Sequence, residues 1–260
     1  MPSCRGARLR KAIFFDPGAD GRPDTFDDWI TDFSGSDLTE ASLVAAQLRH
    51  GVLRNTSLLR ANLSNAQADY ADFSGANASS AWFIAAAVNH GYFQGTSLVG
   101  ADLTGAQLNQ AQFTEARLAQ AILTGASLVQ ANLRQADLSD ADLTSATLQR
   151  ASLVEANLSG SRLTQANLSQ TNLVGANLQN ANLQGALLTG ANLAGASLAG
   201  ASFFTAQPTQ SGGFITTMPT GTESPALAGV DFSKALDLDS EQLAYICQQG
   251  GIHPACQSSR

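Results

Sequence analysis

The chain has 260 residues and a formal net charge of −7, with 44% hydrophobic but only 13% charged residues. This acidic balance argues against nonspecific nucleic-acid binding, because contacts to phosphates need clustered Lys and Arg. The sequence contains no apolar run of 18 residues, so no transmembrane helix is predicted.

Residues 1–30 precede the regular part of the sequence and are predicted to form an N-terminal cap. The apolar stretch at 12–15 is too short for the hydrophobic region of a secretory signal peptide. We therefore expect a cytoplasmic protein.

Part of this segment resembles a calcium-binding loop of the EF-hand type. Carboxylates occupy positions 1, 5, 9 and 12 of the loop, and Gly21 occupies position 6. Gly18 replaces the usual ligand at position 3, and Asp replaces the bidentate Glu at position 12. A solvated acidic turn is the competing interpretation, and calcium is the one cofactor that the sequence suggests. The candidate ligands are Asp16, Asp20, Asp24 and Asp27.

From Phe33 to Phe203 every fifth residue is Leu or Phe, with exceptions only at Ala68, Ala78 and Val88. The residue two positions before each of these centres is always small, most often Ala. A period of five fits neither a helix, at 3.6 residues, nor an ordinary strand, at 2. The sequence therefore predicts a repeat solenoid.

The strings at 101–105 (ADLTG) and 191–193 (ANL) resemble the pentapeptide-repeat family, written A-(D/N)-L-x-x, over residues 31–204. The resemblance implies an all-β solenoid, a right-handed quadrilateral β-helix in which four pentapeptides form the sides of each 20-residue coil. It also implies that the central and small residues point inward. About nine coils stacked at roughly 4.8 Å would make a rod about 42 Å long.

The central phenylalanines support a coil of this length. Read modulo 20, they fall on only two opposite faces, and in one coil two rings alternate with two alanines, as a packed core layer requires. The first face holds Phe33, Phe73, Phe93 and Phe113, the second holds Phe83 and Phe203, and the mixed coil contains Ala68, Phe73, Ala78 and Phe83.

Residues 205–229 are rich in Pro, Gly, Ser and Thr and are predicted to be a flexible loop. Residues 230–260 are predicted to form a helical cap, in which 230–234 resembles one more pentapeptide. Asp239 is the predicted N-cap of a helix that runs to about Gln249, with Gln242 three residues after the cap. So short a helix must dock on something. Docking on the last coil implies a monomer, and docking on a partner subunit implies a dimer through the cap.

Cys247 and Cys256 flank the end of this helix. A disulfide between them would staple the cap, as in some exported members of the family. The alternative is a pair of reduced thiols in a cytosolic protein. The lack of a recognisable export signal favours the reduced pair and a cytoplasmic protein. An exported or lumenal compartment is the alternative if the two are bonded and the true start of the chain lies upstream.

The histidines do not form a catalytic or metal site. His50 and His90 lie in one outward column of the predicted coils, two coils and roughly 9–10 Å apart. Ligands of one zinc ion all lie about 2 Å from it, so this pair cannot share a metal. His253 has no evident partner in the tail. We therefore expect a protein that is not an enzyme.

Exposed aromatic residues next to arginines are what protein interfaces enrich. Tyr70 lies between the two histidines of the column, and Trp82 and Tyr92 occupy outward positions nearby. Scattered surface aromatics, or cover by the N-terminal segment, are the competing interpretations. The interaction candidates are Trp82, Tyr92, Tyr70, His50, His90, Arg49, Arg54 and Arg60.

Two functions compete. The first is a structural or protein-interaction module with an unidentified protein partner. The second is a DNA mimic that modulates or protects DNA gyrase, as some members of the family do. A duplex 42 Å long carries roughly 25 negative charges, whereas residues 31–204 carry 11 acidic residues and 7 Arg, a net of −4. The first function is therefore predicted, without direct nucleic-acid binding.

Overall fold

Residues 31–203 form a stack of four-sided coils in the computed structural model. From Asp32 to Asn182, the second residue of each repeat makes a parallel bridge to the residue 20 positions further on, as in the ladder from Asp32 to Val52 to Asp72. Four such ladders leave each coil, one from every pentapeptide. The coil of 20 residues that the family resemblance implied is therefore confirmed.

The structure describes residues 15–16, 29–203, 207–208, 214–215 and 227–257. Outside the coils, the strands pair antiparallel as β1 (Phe15–Asp16) with β2 (Trp29–Ile30), and β3 (Gln207–Pro208) with β4 (Phe214–Ile215). Helix α1 spans Ser240–Gln248, and a 3-10 helix spans Pro254–Gln257. β3 and β4 lie within the predicted loop, most of which is outside the described residues.

The repeat at 71–75 shows how the backbone N–H groups are satisfied. The N–H of Ala71 closes a turn onto the preceding centre, and those of Asp72, Phe73 and Gly75 donate to carbonyls of neighbouring coils at 2.8–2.9 Å. The N–H of Ser74 donates instead to the carboxylate of Asp72, at 2.9 Å. A buried or half-buried N–H needs such a partner. Stacking of the coils gives the N–H of the fourth residue no carbonyl partner. An Asp or Asn side chain at the second position accepts from this N–H, which explains the preference for these residues.

The same bond recurs wherever a described repeat has Asp or Asn at its second position. The side chains that accept it are those of Asp32, Asp37, Asn62, Asp72, Asn77, Asp102, Asn132, Asp137, Asp142, Asn157, Asn167, Asn172, Asn177, Asn182, Asn192 and Asp231.

The fifth residue of every repeat from Gly35 to Gly200 has a positive φ. This left-handed conformation suits the third residue of a type II turn, but it costs a residue other than glycine roughly 1–2 kcal/mol. Side chains nevertheless occupy many of these positions, including His50 at 57°, Tyr70 at 61° and His90 at 58°. Because each such residue sits at a turn, its side chain stands at a corner of the coil, above and below its equivalents.

The rings in the core stack along the rod as predicted. Phe73 and Phe93 have centroids 5.0 Å apart, and Phe93 and Phe113 have centroids 4.6 Å apart, with nearly parallel planes. Phe83 approaches Phe73 and Phe93 edge-on, at 5.7 and 6.3 Å. All four rings are fully buried. Two rings from opposite sides therefore fill the space that the alanines of their coil leave.

The chain resumes the stack after the segment that follows residue 203. Asp231 bridges to Asn192, and Leu236 bridges to Ser197, so this part lies on the last coil as the next layer. Val230 and Phe232 are buried at the small and central positions. The extra pentapeptide predicted at 230–234 is therefore confirmed.

Helix α1 closes the end of the rod. Asp239 accepts from the N–H of Gln242, and the side chain of Gln242 accepts from the N–H of Asp239, both at 2.8 Å. The amide nitrogen of Gln242 also donates to the carbonyls of Leu198 and Ala201, both at 2.8 Å. Ile246 on the same helix is fully buried. The predicted N-cap is confirmed, and the helix docks on the last coil of its own chain.

Cys247 and Cys256 are joined by a disulfide, so the expectation of two reduced thiols is wrong for this structure. The reason is the turn between them. The N–H of Gly251 donates to the carbonyl of Ile246 at 2.8 Å and folds the chain back against α1. The two cysteine Cα atoms come to lie 5.1 Å apart, within the range that a disulfide needs.

Candidate functional site

Three rings stand on top of one another at one corner of the coils. The centroids of His50 and Tyr70 are 5.0 Å apart, and those of Tyr70 and His90 are 4.6 Å apart, with planes within 9° and 1° of parallel. Tyr70 thus separates the two histidines. Among the described residues, no group of three or more His, Cys, Asp or Glu side chains could hold a metal ion.

Of the three candidate arginines, Arg49 joins this column. Its guanidinium lies 5.5 Å from the centroid of the Tyr70 ring, a cation–π distance. The other two arginines are held by carboxylates of the rod. Exposed pairs of this kind contribute only about 0–1 kcal/mol each, but they direct both guanidinium groups toward acids. The pairs are Arg54 with Asp72 and Arg60 with Glu40.

Tyr92 lies on the adjoining side of the coil, next to the column. We call His50, Tyr70, His90 and Tyr92 the aromatic corner. Beside it is an open concavity, which we call the amide groove. Its lining includes no Asp, Glu, Lys or Arg. The lining residues are Tyr70, His90, Tyr92, Gln94, Gln110, Gln112 and Gln130.

The four glutamines were not among the residues predicted to form a site. Gln110 and Gln130 continue the column of His90, and Gln94 and Gln112 lie on the side that holds Tyr92. The side chain of Gln112 donates to the carbonyl of Gln110 at 3.0 Å. A column read modulo 20 is the signal that could have found them, although glutamine is too common on surfaces to stand out alone.

Trp82 lies on a different side of the rod, so the expectation that it neighbours Tyr92 is wrong. Trp82 bridges to Asp102, whereas Tyr92 bridges to Gln112. The chain turns one corner every five residues, so ten residues lead to the opposite side of a four-sided coil. The two residues are otherwise matched, because both hold the second position of a repeat and are 45% and 43% exposed.

Most acidic side chains of the rod accept hydrogen bonds or pair with arginine, as Asp72 and Asp137 show. Partial burial opposes ionisation of Asp72, but hydrogen bonds from Ser74 and the Arg54 guanidinium outweigh it and lower the pKa of this carboxyl. In the C-terminal half, Asp137 accepts a hydrogen bond from the Asn157 side chain at 3.0 Å. Each of these carboxylates is bonded to its own polar neighbours, and these contacts do not align the carboxylates in one row.

Two further expectations concern calcium and membranes. Asp16 belongs to β1, and the other three candidate calcium ligands, Asp20, Asp24 and Asp27, lie outside the described residues. Calcium binding therefore stays a prediction.

Within the part of the chain that the structure describes, no helix has the length and apolarity needed to cross a bilayer.

The bridge ladders and the corner column together define a repeat solenoid built from five-residue units. The chain belongs to the pentapeptide-repeat family. The family model, described as pentapeptide repeats, matches in eight copies over residues 31–55, 52–81, 83–120, 111–150, 151–190 and 176–203.

Three solved structures illustrate the similarity. HetL, a pentapeptide repeat protein from the cyanobacterium Nostoc involved in regulation of heterocyst differentiation, is 29% identical over 82% of this chain and 92% of its own, with a TM-score of 0.36. A pentapeptide repeat protein of the Arabidopsis thaliana thylakoid lumen is 25% identical over 60% and 81%, with a TM-score of 0.30. QnrB1, a plasmid-mediated fluoroquinolone resistance protein, is 17% identical over 67% and 87%, with a TM-score of 0.45. No curated protein matches this chain.

Proposed function

We propose that this protein is a non-enzymatic interaction module, a right-handed β-helical rod that binds a partner protein through the aromatic corner. The observation that carries the proposal is the column of His50, Tyr70 and His90 with Tyr92 beside it, because Tyr70 and Tyr92 keep 36% and 43% of their surface exposed. Tyrosines are among the residues that contribute most to protein interfaces.

The corner is well suited to binding because its side chains are ordered before a partner arrives. Tyr70 is stacked on both faces and has Arg49 over its ring. The backbone beneath Tyr92 is bridged to the coils on both sides, through Asp72 and Gln112. Ordering a mobile side chain on binding costs about 0.5–1.5 kcal/mol, and this arrangement avoids part of that cost.

Charge supports this proposal over DNA mimicry. A mimic must present a dense row of free negative charge, but Glu40 and Asp72 are paired with arginines.

The compartment of the protein is a separate question. The bond between Cys247 and Cys256 supports an oxidising environment, and we place the protein in an exported or lumenal compartment on that basis.

Site-specific photocrosslinking in the native host tests the proposal. A benzoylphenylalanine replaces Gln94, which lines the amide groove, and in a control chain it replaces Gln179. Both residues are exposed and hold the fourth position of a repeat, but Gln179 lies on another side and near the other end of the rod. We expect a discrete crosslinked species from position 94 that Tyr92→Ala removes. The same species from both positions, or none from position 94, would contradict the proposal.

A further inference from the structure

We infer that the amide groove binds a proline-rich segment of the partner in the polyproline II conformation. This inference rests on the proposed function, since it names the chemistry of what the aromatic corner recognises. Proline-rich segments dock on grooves lined by aromatic side chains. Here Tyr92 provides an exposed aromatic side chain, and Tyr70, whose two faces are covered by His50 and His90, presents the edge of its ring.

The spacing of the rod matches that of a polyproline II helix. Equivalent side chains in successive coils recur every 4.6–5.0 Å in the ring column, so two coils span roughly 9.5 Å at the usual strand spacing. A polyproline II helix advances about 9.3 Å per turn of three residues. The mismatch is only a few tenths of an ångström per turn. An α-helix repeats at about 5.4 Å and a β-strand at about 6.7 Å, and neither stays in register with the coils.

The hydrogen-bonding groups are also complementary. Proline has no backbone N–H, so a proline-rich segment offers its partner carbonyl acceptors only. The groove presents amide donors from Gln94, Gln110 and Gln130 and hydroxyl donors from Tyr70 and Tyr92. The carbonyls of polyproline II make no internal hydrogen bonds and remain available. Because the lining has no Asp, Glu, Lys or Arg, it suits an uncharged segment.

The length of the groove sets the size of the ligand. From Tyr70 to Gln130 the column rises by three coil steps, roughly 14 Å. At 3.1 Å per residue, this length holds about five residues in polyproline II. The groove therefore contacts a short segment of the partner, of a size that a synthetic peptide can represent.

Fluorescence anisotropy with the full, oxidised chain tests the inference. The probe is a fluorescein-labelled decaproline peptide, and the control peptide has five Gly-Ser pairs. We expect decaproline to bind at least about tenfold more tightly than the control peptide. Tyr92→Ala should weaken binding about tenfold or more, as loss of an interface tyrosine does. Trp82→Ala, a matched change on the opposite side, should leave the affinity unchanged.

Salt provides an independent readout. Binding between uncharged surfaces is insensitive to screening, so we expect less than about a twofold change in affinity between 50 and 500 mM NaCl. The inference is overturned if decaproline binds no better than the Gly-Ser peptide. It is also overturned if Trp82→Ala weakens binding as much as Tyr92→Ala, or if affinity falls steeply with salt. If decaproline fails while crosslinking from position 94 still depends on Tyr92, the inference fails and the proposed function stands.

Discussion

Gln242 is the residue that joins helix α1 to the last coil, so replacing it should open the end of the rod. It is 3% exposed, and its side chain makes three hydrogen bonds. In Gln242→Glu the carboxylate can still accept from Asp239, which preserves the helix cap. It cannot donate to Leu198 and Ala201, and it places a negative charge against their carbonyl oxygens. The change therefore removes the two hydrogen bonds from Gln242 to the last coil and keeps the cap.

The expected cost follows from the carbonyl of Ala201, which loses its donor, whereas the carbonyl of Leu198 keeps the N–H of Ala201 at 3.0 Å. Leaving one buried polar group unsatisfied predicts a loss of about 1–3 kcal/mol. Stability in a stack of coils is a sum of neighbouring terms. The loss should therefore be confined to the end of the rod. It should not lower the stability of the coils around Phe73.

Hydrogen–deuterium exchange is the assay that resolves this, because it reports opening segment by segment. In Gln242→Glu we expect faster exchange in residues 190–203 and 227–257, with unchanged exchange in residues 60–120. Exposed coil edges pair with other chains, so size-exclusion chromatography should show association that rises with concentration. Gln248→Glu, an exposed change on the same helix with the same added charge, is the control. Its expected cost is below about 1 kcal/mol.

Acidification adds a second test. A buried carboxyl near carbonyl oxygens favours its protonated form, which raises the pKa of the introduced Glu. Protonation restores one donor, so the destabilisation by Gln242→Glu should shrink as the pH falls through that raised pKa. If Gln242→Glu and Gln248→Glu show the same exchange at neutral pH, the docking role of Gln242 is refuted.

Four further predictions follow. Ala85→Gly should raise the free energy of unfolding by about 0.5–1 kcal/mol in urea titrations, because Ala85 is exposed and has a φ of 53°. Asp72→Asn should make the free energy of unfolding fall less steeply as the pH is lowered into the acid range. The pKa of Asp72 is lowered in the fold, so its contribution is present above its unfolded pKa and is lost as pH falls through the folded value. Cys256→Ser should destabilise the cap by about 2–4 kcal/mol, seen as faster exchange in α1. In supercoiling assays with purified DNA gyrase, micromolar protein should neither inhibit the enzyme nor protect it from a fluoroquinolone.

For each of these predictions, a control variant or condition defines the result that would contradict it. Ala86→Gly changes a buried small residue next to Ala85 and should destabilise, so equal effects of the two changes would refute the turn argument. If Asp72→Asn lowers the free energy of unfolding equally at pH 3 and pH 7, the predicted link between the pKa of Asp72 and stability is contradicted. If exchange in α1 is the same with and without a reducing agent, the disulfide does not hold the cap. Inhibition of gyrase would favour mimicry.

Much of the fold could be predicted because its period is local. The spacing of Phe73, Phe93 and Phe113 supported the coil length that the family resemblance implied, and the stacked rings confirm it. Asp239 and Gln242 lie three residues apart, so their reciprocal hydrogen bonds could be read from the sequence as a helix start. The column of His50, Tyr70 and His90 followed from the same period of 20 residues.

The site was only partly predictable. Trp82 and Tyr92 are both aromatic, outward and ten residues apart in the sequence, and only the four-sided cross-section shows that they face opposite ways. The amide groove depends on two adjoining sides meeting at one corner. Glutamine carries no distinctive sequence signal, so Gln94 and Gln112 became part of a site only through that geometry.

The sequence by itself determined the five-residue unit and the start of the helix, because each depends on covalent spacing along the chain, and the family resemblance added the 20-residue coil and its inward residues. The tertiary structure alone decided that Gln242 reaches Leu198 and Ala201 and that Cys247 meets Cys256. Those contacts depend on where the chain returns after leaving the regular repeat at residue 203. No local period carries that information, because the position of return is set by which surfaces pack together at the end of the rod.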